Sequence, residues 1–136
     1  KDLEQRIDAI ENHAAEIESW HPEVVKEYQN RLKERIKSLN EGMESDETRI
    51  AQETALLADR CDITEEITRL KSHLNQFRNF FNTNEPIGRK LEFITQEINR
   101  EVNTTGSKSS NIKISNKVIE IKSELEKIRE QVQNIE

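Results

Sequence analysis

Four side chains have the types that hold a divalent cation: three carboxylates and one imidazole, at Glu66, Glu97, Glu101 and His73. Carboxylate oxygens together with a neutral imidazole suit Mg²⁺ or Mn²⁺. On a helix, Glu97 and Glu101 lie one turn apart, and two like charges at that spacing cost roughly 0.2–0.5 kcal/mol. A bound cation would reverse that cost. We therefore treat these four residues as candidate metal ligands and candidate catalytic residues.

The apolar residues around them recur at alternating steps of three and four, which is typical of a helix with one buried face. The pattern runs through Ile63, Ile67, Leu70, Leu74, Phe77 and Phe81, and again through Ile87, Leu91, Ile94 and Ile98. The next step falls on Glu101. A carboxylate on a buried face costs free energy unless it is paired, protonated or bound to a cation. Glu101 is therefore the strongest signal for chemistry in the sequence.

The link between the two segments, 82–85, is short, and a loop of that length joins antiparallel neighbours. Pairing the buried faces places Glu66 level with Glu101 and His73 near Glu97. Glu66 and His73 are about 10.5 Å apart along one helix, so one ion cannot bind both from that helix alone. We expect any metal site to lie across the hairpin or across a subunit boundary.

Basic side chains flank the same hairpin. Arg89 and Lys90 fall in the first turn of the second helix, where a bound anion would be favoured by these cations and by the helix macrodipole. Lys108 falls in a polar stretch that we expect to be a mobile loop. Arg69 and Arg100 complete the candidate phosphate-binding set.

The same residues also have a plainer interpretation. Glu65 with Arg69, and Glu97 or Glu101 with Arg100, are spaced to form surface ion pairs, which contribute little to stability. Spacing alone leaves both interpretations open.

Composition limits the fold class. A chain of 136 residues suits one domain, yet 32% of it is apolar and 35% is charged, whereas globular domains are roughly 45–50% apolar. The 3 glycines, 2 prolines and 4% aromatic residues leave little turn or strand signal. We expect an elongated all-α bundle of antiparallel helical hairpins with coiled-coil-like seams, oligomeric because partner subunits would cover its apolar faces.

Charge and cysteine content exclude several classes. The net charge of −6 argues against indiscriminate nucleic-acid binding. The acidic excess lies in residues 1–61, with 9 Lys and Arg against 15 Asp and Glu, whereas residues 62–136 hold 12 of each. There is no apolar run near the length of a membrane span. The single Cys61 cannot form an internal disulfide, so we assign the protein to a reducing cytoplasm.

Apolar spacing and helix-capping residues predict the elements in order. The predicted helices span about 2–19, 22–41, 46–60, 62–81, 86–105 and 112–135, with no sheet. Pro22 is assigned to the first turn of the second helix, and Asp62 followed by Glu65 fits a capping box at a new helix start. The hairpin should pack Leu70 against Ile98.

The long apolar seam of the last helix is a packing device, either within the chain or between chains. We divide the chain into an N-terminal helical arm, 1–45, and a helical core, 46–136. Because the chain starts at Lys1 inside a helical pattern, we expect further residues upstream.

Two stretches resemble the YicC/YloC family of bacterial endoribonucleases. They are ALLADRCDITEEITRLKSH at 55–73 and GRKLEFITQEINREVNTTGSK at 88–108. The resemblance is loose over 1–45 and close from residue 50 onward. Residues 126–136 resemble the family's C-terminus, so we expect the true end of the protein here. The sequence differs from relatives at Glu92, where Asp is usual, and at 109–110, where Ala is common.

The resemblance implies a cytoplasmic, divalent-metal-dependent endoribonuclease that acts on single-stranded RNA as a ring-like hexamer. Family members are about twice this length, which implies a missing N-terminal domain. On physical grounds we expect Glu66, Glu97 and Glu101 to be metal ligands, with His73 a ligand or general acid/base. The phosphate-binding candidates would hold RNA. The alternative is a non-catalytic helical scaffold that serves oligomerisation and partner docking.

Overall fold

A computed structural model of the chain describes residues 2–39, 47–80, 88–109 and 111–135. These residues form five α-helices and, within those ranges, no strand. The helices are α1 (Asp2–Leu39), α2 (Glu47–Cys61), α3 (Thr64–Phe80), α4 (Gly88–Lys108) and α5 (Ile112–Ile135). The all-α prediction is confirmed. The predicted helix ends near 41, 46, 81 and 86 lie outside the described residues, as do Phe81 and Ile87 of the apolar pattern.

The first half of α1 forms a four-helix bundle with α3, α4 and α5. Each of these helices packs against two of the others, in the cyclic order α1, α3, α4, α5. Long-range ion pairs link α1 to both of its neighbours: Arg6 Nη1 lies 2.9 Å from Glu124 Oε2, and Arg78 Nη1 lies 2.9 Å from Glu11 Oε2. One continuous apolar core fills the bundle, and it includes both Leu70 and Ile98.

The predicted break between residues 19 and 22 is wrong, because α1 continues through Pro22. A proline inside a helix removes one hydrogen bond and costs about 3 kcal/mol. Pro22 is exposed, whereas Ile17 and Val24 on either side of it are buried in the core. Burying each of those side chains stabilises the fold by roughly 1.5–3 kcal/mol, which offsets the cost. The helix is 38 residues long, about 57 Å.

The second half of α1 pairs with α2. Gln29 Nε2 donates to the carbonyl of Thr54 at 3.2 Å, and Ile36 and Ile50 are buried but do not belong to the bundle core. The predicted division at residue 45 therefore does not separate two cores, since the first half of α1 packs in the bundle.

The seam of α5 is covered within the chain. Its members from residue 114 to 132 are all buried against the bundle: Ile114, Val118, Ile121, Leu125, Ile128 and Val132. The sequence left open whether this seam packs within the chain or between chains, and we counted it toward an oligomer. Because α1 and α4 already bury it, the seam gives no reason for oligomerisation.

The predicted loop after residue 105 is also wrong, because α4 runs on to Lys108. The N–H of Ser109 donates to the carbonyl of Thr105 at 3.2 Å and extends the helical bonding. Gly106 lies in this last turn of α4. A Cβ at this position would lie 3.3 Å from Val118 Cγ1, so the missing side chain lets α4 approach α5 closely.

Candidate functional site

Residues 62 and 63 are not helical and separate α2 from α3. Asp62 Oδ1 accepts hydrogen bonds from the N–H of Thr64 at 3.0 Å and from its hydroxyl at 2.6 Å. These bonds hold the pKa of Asp62 below its usual range. The predicted new helix start is confirmed. However, the N–H of Asp62 donates to Asp59, and Glu65 pairs with Arg69 instead of closing a capping box.

Two carboxylates are buried in the described part of the chain, and they lie side by side across the hairpin. Glu66 on α3 is 3% exposed and Glu101 on α4 is 6% exposed. Both contact the guanidinium of Arg69. Its Nε lies 3.0 Å from Glu101 Oε1, and its Nη2 lies 3.4 Å from Glu66 Oε2. The hydrogen bond to Glu101 and the nearby carboxylates raise the pKa of Arg69. The structure thus brings Glu66 level with Glu101, as the hairpin register requires.

Lys108 joins the end of α4 to the start of α3. Its Nζ lies 3.0 Å from Glu66 Oε2 and 3.2 Å from the carbonyl oxygen of Asp62. We call Glu66, Arg69, Glu101 and Lys108 the polar cluster. It contains two carboxylates and two cations, so its charges balance. A metal ion or a phosphate group would have to replace some of these contacts to bind.

Four buried polar atoms of the described residues lack a hydrogen-bond partner, on three residues in or beside the polar cluster. They are Glu66 Oε1, Ser109 Oγ and both ring nitrogens of His21. Glu66 belongs to the cluster and Ser109 directly follows Lys108. Folded proteins leave few such atoms, and each requires an explanation, such as a bound water, an ion or a functional role.

His21 is a residue that the sequence reasoning missed. Burial lowers the pKa of its imidazole, against the opposing influence of the Cys61 backbone and the Asp62 carboxylate. The Cys61 backbone lies close by, although neither ring nitrogen completes a hydrogen bond of normal geometry. A signal was present in the sequence. The three–four alternation that includes Ile17 continues through position 21 to Val24, so His21, like Glu101, occupies a seam position.

The four predicted metal ligands do not come together as one group. Within the described ranges, no three His, Cys, Asp or Glu side chains are placed to hold a metal ion. Glu66 and Glu101 lie together, whereas His73 Nδ1 lies 3.3 Å from Gln76 Oε1 and Glu97 lies one turn before Glu101. The available donor set is therefore two carboxylates. Mg²⁺ commonly uses one or two carboxylates when substrate phosphates and water supply its other ligands.

His73 and Glu97 nevertheless lie on the same flank of the hairpin as the polar cluster. Residues three or four apart share one side of a helix. On α3 that rule aligns Arg69, His73, Gln76 and Phe80, and on α4 it aligns Phe93, Glu97 and Glu101. We call this flank the hairpin groove.

The remaining predicted phosphate-binding residues lie along the groove. Arg100 is exposed on α4, seven residues after Phe93. Arg89 and Lys90 lie at the end of the groove away from the polar cluster, where they line a cavity with Phe93. The candidate cations therefore divide into one group at the cluster and another at the far end of the hairpin.

The chain belongs to the YicC-like family. Residues 17–136 match the family described as endoribonuclease YicC-like, C-terminal, so the match covers most of the chain, including α2 to α5.

Two curated relatives carry the name "Probable endoribonuclease YicC". The protein of Clostridioides difficile is 52% identical over 137 residues, which cover 100% of this chain and 47% of the relative. The protein of Haemophilus influenzae is 38% identical over 134 residues, which cover 98% of this chain and 46% of the relative. The chain thus spans about half the length of these relatives.

Proposed function

We propose that the protein is an endoribonuclease that cleaves single-stranded RNA with the help of a divalent cation, Mg²⁺ or Mn²⁺. The observation that carries the proposal is the polar cluster, in which two buried carboxylates meet two basic side chains at the end of a groove. The family and the names of the relatives support an activity of this class. Cleavage of single-stranded RNA and dependence on a divalent metal are the further parts of this proposal.

In this proposal Arg69 and Lys108 bind the phosphate that is cleaved. A guanidinium suits this role because its planar donors match two phosphate oxygens at once. The Arg69 side chain is 48% exposed and that of Lys108 is 34% exposed, whereas the Glu66 side chain is 4% exposed. An incoming phosphate therefore reaches the cations from the solvent side while the carboxylates remain behind them.

Glu66 and Glu101 would hold the cation. The unpartnered Glu66 Oε1 fits this role, because it is a buried carboxylate oxygen without a hydrogen-bond donor in the described structure. When bound, a divalent ion polarises the phosphate and lowers the pKa of a coordinated water. We assign proton transfer to His73, whose imidazole lies one turn from Arg69 in the groove. We assign Glu97 no role in the cleavage step.

A non-catalytic scaffold is the second candidate, and one observation favours it. Each carboxylate of the polar cluster is already paired with a basic side chain. In a scaffold, such a closed set of ion pairs would have a structural role and would hold α3 and α4 in register. The two candidates differ in whether the cluster binds metal.

The deciding experiment combines thermal unfolding with RNA cleavage for wild type, Glu101→Gln and Glu130→Gln. Glu130 is an exposed residue of α5 outside the polar cluster, so its replacement controls for the loss of one negative charge. We expect Mn²⁺ to stabilise wild type and the control, by about 2.7 kcal/mol at a concentration of 100 Kd. Both proteins should cut labelled single-stranded RNA. Glu101→Gln should lose the metal-dependent stabilisation and the cleavage together.

If neither Mn²⁺ nor Mg²⁺ changes the thermal stability of the wild-type protein and the RNA stays intact, the result would favour the scaffold. Cleavage that persists in Glu101→Gln would remove the polar cluster from the reaction.

The ring-like hexamer and the cytoplasmic location stay predictions. In the described residues no helix is both long and apolar enough to cross a membrane. Several large apolar side chains are exposed and available for contacts between subunits: Leu39, Leu56, Phe93, Ile112 and Ile119. Light scattering at micromolar protein should give a multiple of the subunit mass, and a monomer would contradict the hexamer.

A further inference from the structure

A cavity of about 490 Å³ opens at the end of the hairpin groove away from the polar cluster. Phe80 and Gln76 of α3 and Phe93 and Ile94 of α4 form its walls, and Asn79 is part of its lining. Phe93 is 63% exposed, so its ring is accessible from solvent. The volume lies in the range of cavities that bind small ligands.

The charges at this cavity have the opposite sign to that of the chain. Among the described residues, Arg89 and Lys90 line it together with neutral side chains, and none of the described carboxylates does. By contrast, the cavity between α4 and α5 includes Glu92 and Glu126 in its lining. Lys90 Nζ lies 5.5 Å from the centre of the Phe80 ring, at cation–π distance. A ligand that suits this cavity is therefore anionic and carries a flat apolar or aromatic group.

Single-stranded RNA combines these two properties in every nucleotide. Proteins bind its unstacked bases on aromatic side chains and its backbone with basic ones. The amides of Gln76 and Asn79 add donors and acceptors for a base edge. We propose that the Phe80–Phe93 cavity binds a nucleobase of single-stranded RNA by stacking, with Arg89 and Lys90 on the adjacent phosphates. The proposal rests on the RNA-cleaving function proposed above and adds a binding site separate from the polar cluster.

Helix spacing places this base site and the polar cluster on the same flank of the α3–α4 hairpin. Phe93 and Glu101 are separated by eight residues, about 12 Å along α4. Arg100 is exposed on the same flank, between Phe93 and Glu101. A strand held by its base at Phe93 therefore follows the groove toward Arg69 and Glu101. The base site would therefore set the distance along the RNA strand between the nucleotide bound at Phe93 and the phosphate that is cleaved.

The test measures RNA affinity by fluorescence anisotropy with a fluorescein-labelled 20-nucleotide oligouridylate, using the protein in EDTA to prevent metal-dependent cleavage. Stacking of one base on an aromatic ring is worth about 1–3 kcal/mol. Phe93→Leu should therefore weaken binding by about 5- to 150-fold, because it keeps an apolar side chain but removes the ring. Phe93→Tyr should restore most of the affinity.

Salt dependence separates the base from the phosphates. Loss of one phosphate contact lowers the slope of log affinity against log salt by about 0.7 for a single strand. Arg89→Gln should show this change, whereas Phe93→Leu should weaken binding with the slope unchanged. Arg35→Gln is the matched control, since Arg35 is an exposed cation of α1 far along the chain from the groove. It should leave both quantities unchanged.

Light scattering on the same variants tests the competing occupant, a second copy of the chain. Unchanged RNA affinity in Phe93→Leu would overturn the proposal. Weaker binding together with a changed oligomer mass would also overturn it and would assign Phe93 to a subunit contact.

The two proposals can fail separately. Wild-type protein that binds RNA through Phe93 but never cuts it would end the proposed function and leave the base site standing. Protein that cuts RNA, with Phe93→Leu binding as wild type does, would end the base site alone.

Discussion

The ion pair between Lys108 and Glu66 should stabilise the fold measurably, unlike an ordinary surface pair. Lys108→Met keeps most of the side chain and removes the ammonium group. In the structure this group lies 3.0 Å from Glu66 Oε2. The Glu66 side chain is 4% exposed, so little water can take the place of the lost donor. The other cation near that oxygen, on Arg69, is at the longer distance of 3.4 Å.

The magnitude follows from this burial. A hydrogen bond to a charged group contributes about 1.5–3 kcal/mol. Arg69 remains in place, and Lys108 lies at the edge of the site with 34% of its side chain exposed, which reduces the loss. We expect Lys108→Met to lower the free energy of unfolding by about 1–2 kcal/mol. Exposed pairs usually contribute only about 0.2–1 kcal/mol.

A double-mutant cycle isolates the pair. The second change is Glu66→Gln, which keeps the shape and removes the charge, and Lys108→Met should then cost much less in that background. The expected coupling energy is about 1 kcal/mol. Urea unfolding followed by circular dichroism gives each free energy. All four proteins must be compared at one subunit concentration, because oligomers unfold in a concentration-dependent way.

The control is Lys127→Met on α5, since Lys127 is exposed and its replacement should change stability by no more than about 0.5 kcal/mol. A coupling energy below about 0.3 kcal/mol would refute the reasoning. Glu66 would then not depend on Lys108, and this pair would not help to hold the end of α4 against the start of α3.

Two further predictions concern buried polar atoms beside the cluster. Burial lowers the pKa of the His21 imidazole below its ordinary value of 6.5. The unfolded chain therefore binds a proton at this residue at a higher pH than the folded chain does. The free energy of unfolding should consequently fall as the pH falls through about 6.5. Urea unfolding at pH 7.5 and 5.5 should show this loss in wild type and a smaller one in His21→Gln. Ser109 is fully buried and its hydroxyl has no partner among the described residues, so Ser109→Ala should raise the free energy of unfolding by about 1 kcal/mol. A loss of stability in Ser109→Ala would show that the hydroxyl is bonded in solution.

Local pattern was sufficient to predict α3, α4 and α5. Their apolar residues recur at the spacing of one helical face, and that spacing depends only on helix geometry. The same spacing identified Glu101 as a carboxylate on a buried face, and its burial is confirmed. Applied without a break at Pro22, it would also have identified His21 and the continuous α1. That error came from giving the proline more weight than the seam that runs through it.

Only the tertiary structure decided which groups meet. Lys108 is 42 residues from Glu66 in the sequence, and it reaches Glu66 because α4 runs on to Lys108 and packs against α3. Arg69 could pair with Glu65 on its own helix, yet it also bonds to Glu101 across the hairpin.

Helix spacing alone separates His73 from Glu66 by about 10.5 Å, whereas the position of His73 relative to Glu101 is a property of the fold. Helix spacing fixes which side of its own helix a residue occupies. Which side chains of other helices face that residue depends on how the helices pack, and local sequence spacing does not determine the packing.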